Sequence, residues 1–368
     1  MNDPIQGIPC GSAPAPLSVL DTALTGRGHT AADALAGSIE LARFSDRRGF
    51  TRYWVAEHHS MPGVSTSSPA VLLARLTAHT RQLRLGAGGV MLPNHPPLVV
   101  AEQYGLLQAL APGRIDLGLG RAPGTNQATA AALRRGRADD DAFPQQVLEL
   151  LNFLDDDFPE GHPYGDRVHA VPGPVQDKEN AAQSTAGRPS TWLLGSSGYS
   201  AQLAAHLGLP FAFAAHFSPD LVVPALDLYR EKFRPSPTLA EPYALVSYGV
   251  LAADDEEEAR LQAQTFAHSM LRMFQNKTYL VPTPEEAASY PYTDAEREVV
   301  DDWTARVLHG TPDKVTAELN RLQATAGADE IMLATMGHSP KALLRSTQLI
   351  ADAYEMPTRA DAADSATH

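Results

Sequence analysis

The chain is poor in cysteine, and it lacks long apolar runs and an excess of basic residues. With one cysteine, Cys10, in 368 residues, no intrachain disulfide can form, which favours a reducing compartment. No run of about 18 consecutive apolar residues occurs, so the sequence predicts no transmembrane helix. The start of the chain also lacks the basic and apolar regions of a signal peptide. We therefore expect a soluble, cytoplasmic protein.

The charge balance is acidic. Lys and Arg together number 29 and Asp and Glu number 43, which gives a formal net charge of −14 at pH 7. Nucleic acids and anionic membranes attract basic surfaces, so the composition argues against both as partners. We expect the partner to be a small molecule.

Eight short apolar segments alternate with segments of helical periodicity. The predicted strands are 17–20, 53–56, 83–87, 114–119, 191–194, 211–215, 243–251 and 330–334. Such alternation is typical of a parallel sheet, and eight units predict a closed (β/α)8 barrel, or TIM barrel, with insertions. An open doubly wound sheet is the alternative. It is disfavoured because no GxGxxG fingerprint follows the first strand.

A single barrel domain is expected over residues 16–356. Residues 1–15 are rich in Pro, Gly, Ser and Ala, and both they and residues 357–368 are predicted to be flexible tails. Two long segments, near 156–190 and 268–308, interrupt the alternation. We expect both to be insertions that cover the ligand site.

Small and polar residues gather directly after five of the predicted strands. They are Glu57-His58-His59, Gly88-Gly89, Gly120-Arg121, Gly195-Ser196-Ser197-Gly198-Tyr199-Ser200 and His216. In parallel α/β proteins the carboxyl ends of the strands meet at one face, where ligands bind. The sequence therefore predicts one site at that face of the barrel.

Segment 195–200 and Arg121 are candidates for holding a phosphate. Small residues at a helix start present backbone N–H groups and hydroxyls to an anion, and a guanidinium binds phosphate through two hydrogen bonds. Taken alone, the segment is better explained as an ordinary serine-capped helix start. It is not a Walker motif, since no Gly-Lys-Ser/Thr follows. Together with Arg121 on the neighbouring strand, it favours a phosphate monoester.

The histidines are candidates for proton transfer. His58 is a candidate general base, or a donor to a developing oxygen anion. Neighbours on a strand point to opposite sides, so His58 and His59 cannot both face one small ligand. His59 and His216 are candidate substrate-pocket residues, although a single histidine after an apolar strand is more often structural. No metal is predicted, because no nearby carboxylate and histidine complete a ligand set.

Taken together, these segments resemble the luciferase-like flavin-dependent monooxygenases, the family that includes bacterial luciferase. The resemblance runs from about residue 17 to residue 354 and is closest to single-gene members described as alkanal-monooxygenase-like. It is carried by Trp54-Val55-Ala56-Glu57-His58-His59, Gly88-Gly89-Val90-Met91-Leu92-Pro93-Asn94-His95-Pro96, Gly113-Arg114-Ile115-Asp116-Leu117-Gly118-Leu119-Gly120-Arg121 and Gly195-Ser196-Ser197-Gly198-Tyr199-Ser200.

The resemblance implies a (β/α)8 barrel that takes reduced flavin mononucleotide (FMN) from a separate flavin reductase and uses molecular oxygen to oxygenate a small organic substrate. It implies a phosphate site at Arg121, Ser197 and Ser200, and His58 as the catalytic histidine. Relatives carry a non-proline cis peptide beneath the flavin ring at the bond that matches Gly88–Gly89. The other expected members of the cofactor site are Ser196, Gly198 and Tyr199.

The resemblance leaves two other functions open. Related barrels bind deazaflavin in much the same place, so a deazaflavin-dependent dehydrogenase or reductase is one alternative. A non-catalytic flavin-binding accessory protein is the other, and the presence of His58 speaks against it. Bacterial luciferase has a reactive cysteine where this chain has Gly120, so light emission is not assumed. Family members pair through the helices near 68–80 and 97–110, so a homodimer is expected.

Overall fold

In the computed structural model, which describes residues 5–122, 126–133, 142–179, 187–275, 277 and 280–359, eight parallel strands close into a barrel. The described strands are β1 (Leu17–Asp21), β2 (Arg52–Val55), β3 (Arg84–Met91), β4 (Ile115–Gly120), β5 (Ser190–Gly195), β6 (Phe211–Ala214), β7 (Ala244–Ala252), β8 (Val307–Gly310) and β9 (Glu330–Thr335), and all of them except β8 belong to the barrel. Strands β1 to β7 pair in chain order, and β9 closes the ring between β7 and β1. The predicted (β/α)8 barrel is confirmed.

Strand β8 lies outside this ring. It extends the sheet along the second half of β7, where Gly249 pairs with Val307 and Ala252 with Gly310. From the sequence, this stretch is expected to belong to the end of the insertion near 268–308, and no strand is predicted there.

Helices form the outer layer of the barrel. They are α1 (Ala31–Arg48), α2 (Pro69–Thr77), α3 (Pro97–Leu110), α4 (Gln127–Ala132), α5 (Phe143–Asp155), α6 (Pro174–Glu179), α7 (Gly198–Leu207), α8 (Val222–Lys232), α9 (Glu256–Phe274), α10 (Pro284–Ser289), α11 (Asp294–Ala305), α12 (Pro312–Ala326) and α13 (Pro340–Ala353). Helix α1 begins with reciprocal hydrogen bonds between Thr30 and Asp33, and it ends at Gly49, whose φ of 77° suits glycine. Within the described ranges, no helix has both the length and the apolar character needed to cross a membrane.

A buried ionic network fills the amino-terminal end of the barrel. The Arg52 guanidinium, which is fully buried, donates to Glu330 (Nε to Oε1, 2.7 Å) and to Asp116 (Nη1 to Oδ2, 2.9 Å). Burial alone would raise the pKa of Asp116, but the guanidinium groups of Arg84 and Arg52 outweigh it and lower that pKa. The Tyr243 hydroxyl donates to the other oxygen of Glu330 at 2.9 Å. These side chains close this end, so a ligand has to enter from the opposite end.

The amino-terminal segment packs against this network, and the prediction of a flexible tail over residues 1–15 is wrong for its described part. Ile5 is only 4% exposed, and its carbonyl accepts a hydrogen bond from Arg52 Nη2 at 2.5 Å. The Gly7 amide donates to the Tyr243 hydroxyl at 3.1 Å. A polar, proline-rich composition predicted a tail because it gives no local sign of these long-range contacts.

The predicted carboxyl-terminal tail, 357–368, is described only as far as Arg359. The amide of Arg359 donates to the carbonyl of Arg47 at 2.7 Å, and its guanidinium donates to Gln82 Oε1 at 2.7 Å. The start of this segment is therefore attached to the barrel. Residues 360–368 lie outside the described residues.

Candidate active site

A cavity of about 550 Å³ opens at the carboxyl ends of the barrel strands. Its volume lies within the range of about 300–1,000 Å³ that is typical of small-molecule sites. Helix α9 and the residues after it supply one wall, and the strand ends supply the rest. The predicted site residues that line it are His58, Gly88, Gly89, Arg121, Ser196, Ser197, Ser200 and His216. The structure thus brings residues from five strand ends into one cavity.

Three predicted site residues, all of them described, do not line this cavity: His59, Gly198 and Tyr199. Tyr199 is 40% exposed, and its ring lies beneath the Arg121 guanidinium, whose carbon is 4.2 Å from the ring centroid. Gly198 is the first residue of α7. His59 turns toward Glu57 instead, so the expectation that it faces the substrate pocket is not supported.

The start of α7 and Arg121 form a corner suited to an anion. Ser197 occupies the N-cap position in an extended conformation, yet its hydroxyl makes no capping hydrogen bond to the described first turn. The interpretation as an ordinary serine-capped helix therefore does not fit. Gly195 lets Ser200 approach closely, since a Cβ on Gly195 would lie 2.5 Å from the Ser200 hydroxyl. Backbone N–H groups at a helix start and a guanidinium together attract a phosphate.

The Gly88–Gly89 peptide bond is cis, as predicted. Neither glycine has room for a side chain. A Cβ on Gly88 would lie 2.8 Å from Leu20 Cδ1, and one on Gly89 would lie 2.7 Å from the Gly118 carbonyl oxygen. Because both residues line the cavity, the wall here is bare backbone that a flat ring can approach closely.

His216 is a neutral imidazole in the cavity wall. Its Nδ1 lies 3.3 Å from the Ser247 carbonyl oxygen and 3.1 Å from the Ser247 hydroxyl. A carbonyl oxygen only accepts, so Nδ1 carries the proton and Nε2 has the free lone pair. Burial lowers the pKa of His216 to about 4, against the hydrogen bond to Ser247, and the nearby His58 lowers it further. His58 follows β2, and its backbone N–H donates to the Thr66 carbonyl at 2.8 Å.

Glu57 holds the segment that follows β3. Its Oε1 accepts hydrogen bonds from His59 Nε2 at 2.7 Å and from His95 Nε2 at 2.8 Å, and its Oε2 accepts from the Met91 amide at 3.1 Å. Burial alone would raise the pKa of Glu57, but these hydrogen bonds, His95 foremost, lower it. We interpret the group as a structural link between the ends of β2 and β3.

The same group corrects one step of the sequence analysis. The ligand atoms of Glu57, His59 and His95 lie within 4.8 Å of one another, so a carboxylate and a second histidine do stand near His59. The spacing of 38 residues between Glu57 and His95 concealed this. Because both imidazoles already donate to Glu57, the group needs no cation to hold it together.

The methionines of the cavity wall are not predicted from the sequence. Six of the eight in the chain line the cavity, and they are Met61, Met91, Met270, Met273, Met332 and Met336. They come from four distant segments, and methionine carries no motif or periodicity that would have pointed to a shared surface. The only available sign was the position of two of them, since Met91 ends β3 and Met336 directly follows β9.

The two predicted insertions lie in different places. Residues 156–179 pack outside the barrel on α3, where a Cβ on Gly105 would lie 2.1 Å from the Pro172 carbonyl oxygen. None of the described residues of this insertion lines the cavity, so the expectation that it covers the site is wrong for that part. The segment near 268–308 does contribute, since Met270 and Val281 belong to the wall. It begins inside α9 and includes α10, α11 and β8.

Known proteins resemble this chain over nearly its whole length. The model of the family described as luciferase-like monooxygenase matches residues 17–330. A luciferase-like monooxygenase of Escherichia coli (strain K12) is 42% identical over 339 residues, which are 92% of this chain and 96% of that protein. The N-acetyl-S-alkylcysteine monooxygenase of Bacillus subtilis (strain 168) is 35% identical over 339 residues, or 92% and 97% of the two chains.

Solved structures share the same fold. The crystal structure of apo-MsnO8 has a TM-score of 0.82 and 36% identity, over 94% of this chain and 99% of that one. The oxygenating constituent of 3,6-diketocamphane monooxygenase from Pseudomonas putida, solved with FMN, has a TM-score of 0.66 and 18% identity, over 94% and 100% of the chains. The second likeness is one of fold alone.

Proposed function

The chain belongs to the luciferase-like monooxygenase family, and we propose that it uses reduced FMN and molecular oxygen to oxygenate a small organic substrate. One observation carries the proposal. The bare backbone at Gly88–Gly89, the anion corner at Arg121 and α7, and the imidazole of His58 all face one cavity. A flat ring, a phosphate and a proton-transfer group are what an FMN-dependent oxygenase has to accommodate.

The residues present fit FMN. Arg121, Ser197, Ser200 and the first amides of α7 are suited to its phosphate, because each is a hydrogen-bond donor at the same corner. The Gly88–Gly89 backbone would lie against the ring, where any side chain would collide with its neighbours. When bound, reduced FMN supplies the electrons with which oxygen is activated. A related fold solved with FMN supports a flavin-type cofactor.

The protein's own groups would handle protons and exclude water. An imidazole exchanges protons near neutral pH, which suits His58 for general acid–base assistance at the substrate or the ring edge. His216, held neutral, offers Nε2 as a hydrogen-bond acceptor beside it. Apolar residues of α9, with Phe266 and Met270 among them, form one wall of the cavity and would help to exclude water from a bound ligand.

Three further expectations are part of the proposal. A separate flavin reductase would supply reduced FMN, as the resemblance implies. A homodimer would form through α2 and α3, because Val71 and Leu106 on these helices are 72% and 52% exposed, more than burial on the barrel alone would leave. The cytoplasm is the proposed location, since the single Cys10 suits a reducing compartment.

Cofactor preference and oxygen uptake test the proposal. The purified protein is titrated with FMN, with the deazaflavin cofactor F420 and with reduced FMN under nitrogen; oxygen is then added with a panel of aldehydes, ketones and thioethers. The thioethers are included because a relative is named for N-acetyl-S-alkylcysteine. We expect binding of FMN and an oxygenated product. Tighter binding of F420 without substrate-dependent oxygen uptake would favour the deazaflavin enzyme. Binding of FMN without product from any substrate would favour the accessory protein.

A further inference from the structure

We infer that the substrate of this cavity is an uncharged, largely apolar molecule, and that carboxylates and ammonium ions are rejected once a flavin phosphate occupies Arg121. The inference rests on the proposed function for the flavin, and it adds the chemical class of the second ligand. It is carried by the charges and the side-chain types of the cavity wall.

The described part of the wall holds a single permanent charge. Among the described residues that line the cavity there is no Asp, Glu or Lys, and Arg121 is the one residue with a permanent charge. His216 stays neutral near pH 7, because burial lowers its pKa to about 4. An ion moved into such surroundings without a partner of opposite charge loses its hydration and gains little in return.

Arg121 would already be engaged by the phosphate. It lies at the corner with α7, stacked on Tyr199 at 4.2 Å. A phosphate bound there balances the charge of the guanidinium, and the described wall offers no second permanent cation to a substrate carboxylate. Apart from the imidazole of His58, the remaining polar groups, which include Thr22, Ser247 and Thr335, are neutral. They can orient a hydroxyl, carbonyl or thioether group, but they cannot balance a charge.

The methionines set the shape of the preferred ligand. Met270 and Met273 stand one turn apart on α9, Met332 lies within β9, and Met336 comes directly after that strand. Methionine is unbranched and polarisable, so it adapts to apolar groups of irregular shape. A wall of this kind accommodates alkyl chains of different lengths. The binding free energy should change little with the length of the alkyl chain, but the methionines provide no charge to pair with an ion.

Binding of three matched probes tests the inference. Dissociation constants of 1-octanol, octanoate and octylammonium are measured by calorimetry, with the protein saturated with FMN and without FMN. With FMN we expect 1-octanol to bind at least tenfold more tightly than either ion. Without FMN, the affinity for octanoate should rise at least fivefold, because no phosphate then competes with it for the Arg121 guanidinium. Equal affinity of octanoate and 1-octanol for the FMN-saturated protein, or no measurable binding of 1-octanol, would overturn the inference.

A pair of variants at Met273 isolates the role of charge. Met273→Lys introduces a cation into the wall, and Met273→Gln gives a neutral polar chain of similar length as the control. With FMN bound, the affinity for octanoate should rise at least tenfold in Met273→Lys and stay within twofold of the parent in Met273→Gln. Unchanged FMN affinity verifies that both variants are folded. No gain in a folded Met273→Lys protein would refute the role of the missing cation.

Turnover separates this inference from the proposed function. If 1-octanol binds as expected, but octyl methyl sulfide and octan-2-one yield no oxygenated product with reduced FMN and oxygen, charge selection stands and oxygenation of this substrate class fails. If oxygenated product forms from carboxylates as readily as from their methyl esters, the monooxygenase stands and the inference fails.

Discussion

The Arg121 guanidinium stacks on the Tyr199 ring, with 4.2 Å between its carbon and the ring centroid. The two residues follow neighbouring strands, β4 and β5, and Tyr199 belongs to the first turn of α7. Tyr199 lies outside the cavity, so its contribution to any ligand acts through Arg121. A guanidinium already held over a ring loses less freedom when it binds a phosphate.

Loss of the Tyr199 ring should weaken FMN binding modestly. A cation–π contact at an exposed site contributes about 0.5–1 kcal/mol, so we expect Tyr199→Ala to raise the dissociation constant of FMN about two- to fivefold. Tyr199→Phe keeps the ring and should bind FMN like the parent. Quenching of flavin fluorescence measures both. A comparable loss in Tyr199→Phe would assign the effect to the hydroxyl instead.

Arg121 should distinguish FMN from riboflavin. A hydrogen bond to a charged group contributes about 1.5–3 kcal/mol, so Arg121→Ala should weaken FMN binding about ten- to hundredfold. Riboflavin lacks the phosphate and should bind almost unchanged. Both ligands are titrated against the same preparation. Equal losses for the two ligands would show that Arg121 does not hold the phosphate.

His58 should matter for chemistry more than for binding. General acid–base assistance contributes about 10²- to 10⁴-fold, so His58→Ala should lower product formation at least about a hundredfold. Its affinity for reduced FMN should stay within a few-fold. Single-turnover product analysis, with peroxide release followed in parallel, measures the effect. Product formation at the parental rate would make His58 a structural residue.

His59→Ala is the matched comparison for His58→Ala. It removes one of the hydrogen bonds to the buried carboxylate of Glu57. An incompletely satisfied buried polar group costs about 1–3 kcal/mol, so the free energy of unfolding should fall by about this amount. Product formation at a temperature where the variant is folded should stay within a few-fold of the parent. Chemical denaturation and the same product assay separate the two effects.

His216 should make the protein less stable in mild acid. Its pKa is about 4 in the folded protein, against an ordinary value of 6.5. Between these values the unfolded chain binds the proton and the folded protein does not, so the free energy of unfolding falls as the pH drops from 6.5 to 4. The difference between the two pKa values corresponds to a loss of about 3 kcal/mol in the free energy of unfolding. Urea unfolding at pH 7, 5.5 and 4 should show that loss in the parent beyond any in His216→Gln. If the free energy of unfolding depends on pH in the same way in the parent and in His216→Gln, the pKa of His216 is not lowered in the folded protein.

The exposed apolar residues of α2 and α3 should control assembly. Val71 is 72% exposed on α2, so Val71→Glu places a charge in the proposed dimer interface and should shift the mass toward a monomer. Val223→Glu, on α8 and 37% exposed, is the control and should leave the mass unchanged. Light scattering at micromolar concentration measures both. A parent that is already monomeric would refute the dimer.

The barrel and most of the cavity could be predicted because both depend on local patterns. Buried strands of parallel sheets are continuous apolar runs, and their carboxyl ends meet at one face whatever the loops do. That rule alone brings together His58, Arg121 and Ser197, which come from three different strand ends. The rule does not predict the direction of each side chain: His59 turns toward Glu57 and does not line the cavity.

Contacts between distant segments were not predictable. The hydrogen bond from Arg52 to the Ile5 carbonyl and the one from His95 to Glu57 depend on the folded barrel, and neither leaves a periodic signal in the sequence. Strand β8 reads Val-Leu-His-Gly and has only two apolar residues in succession, so it lacks the continuous apolar run by which β2 and β6, which are equally short, were recognised. It exists because β7 extends beyond the ring and offers an edge to pair with.

The clustering of methionine makes the cavity visible to spectroscopy. If the methionine methyl groups carry ¹³C, six of the eight signals in the spectrum come from the wall. Met356 is 3% exposed and does not belong to the described wall, so its resonance serves as an internal reference. One labelled amino acid thus reports where a cofactor or a substrate lies, residue by residue, without a modified ligand and without any turnover.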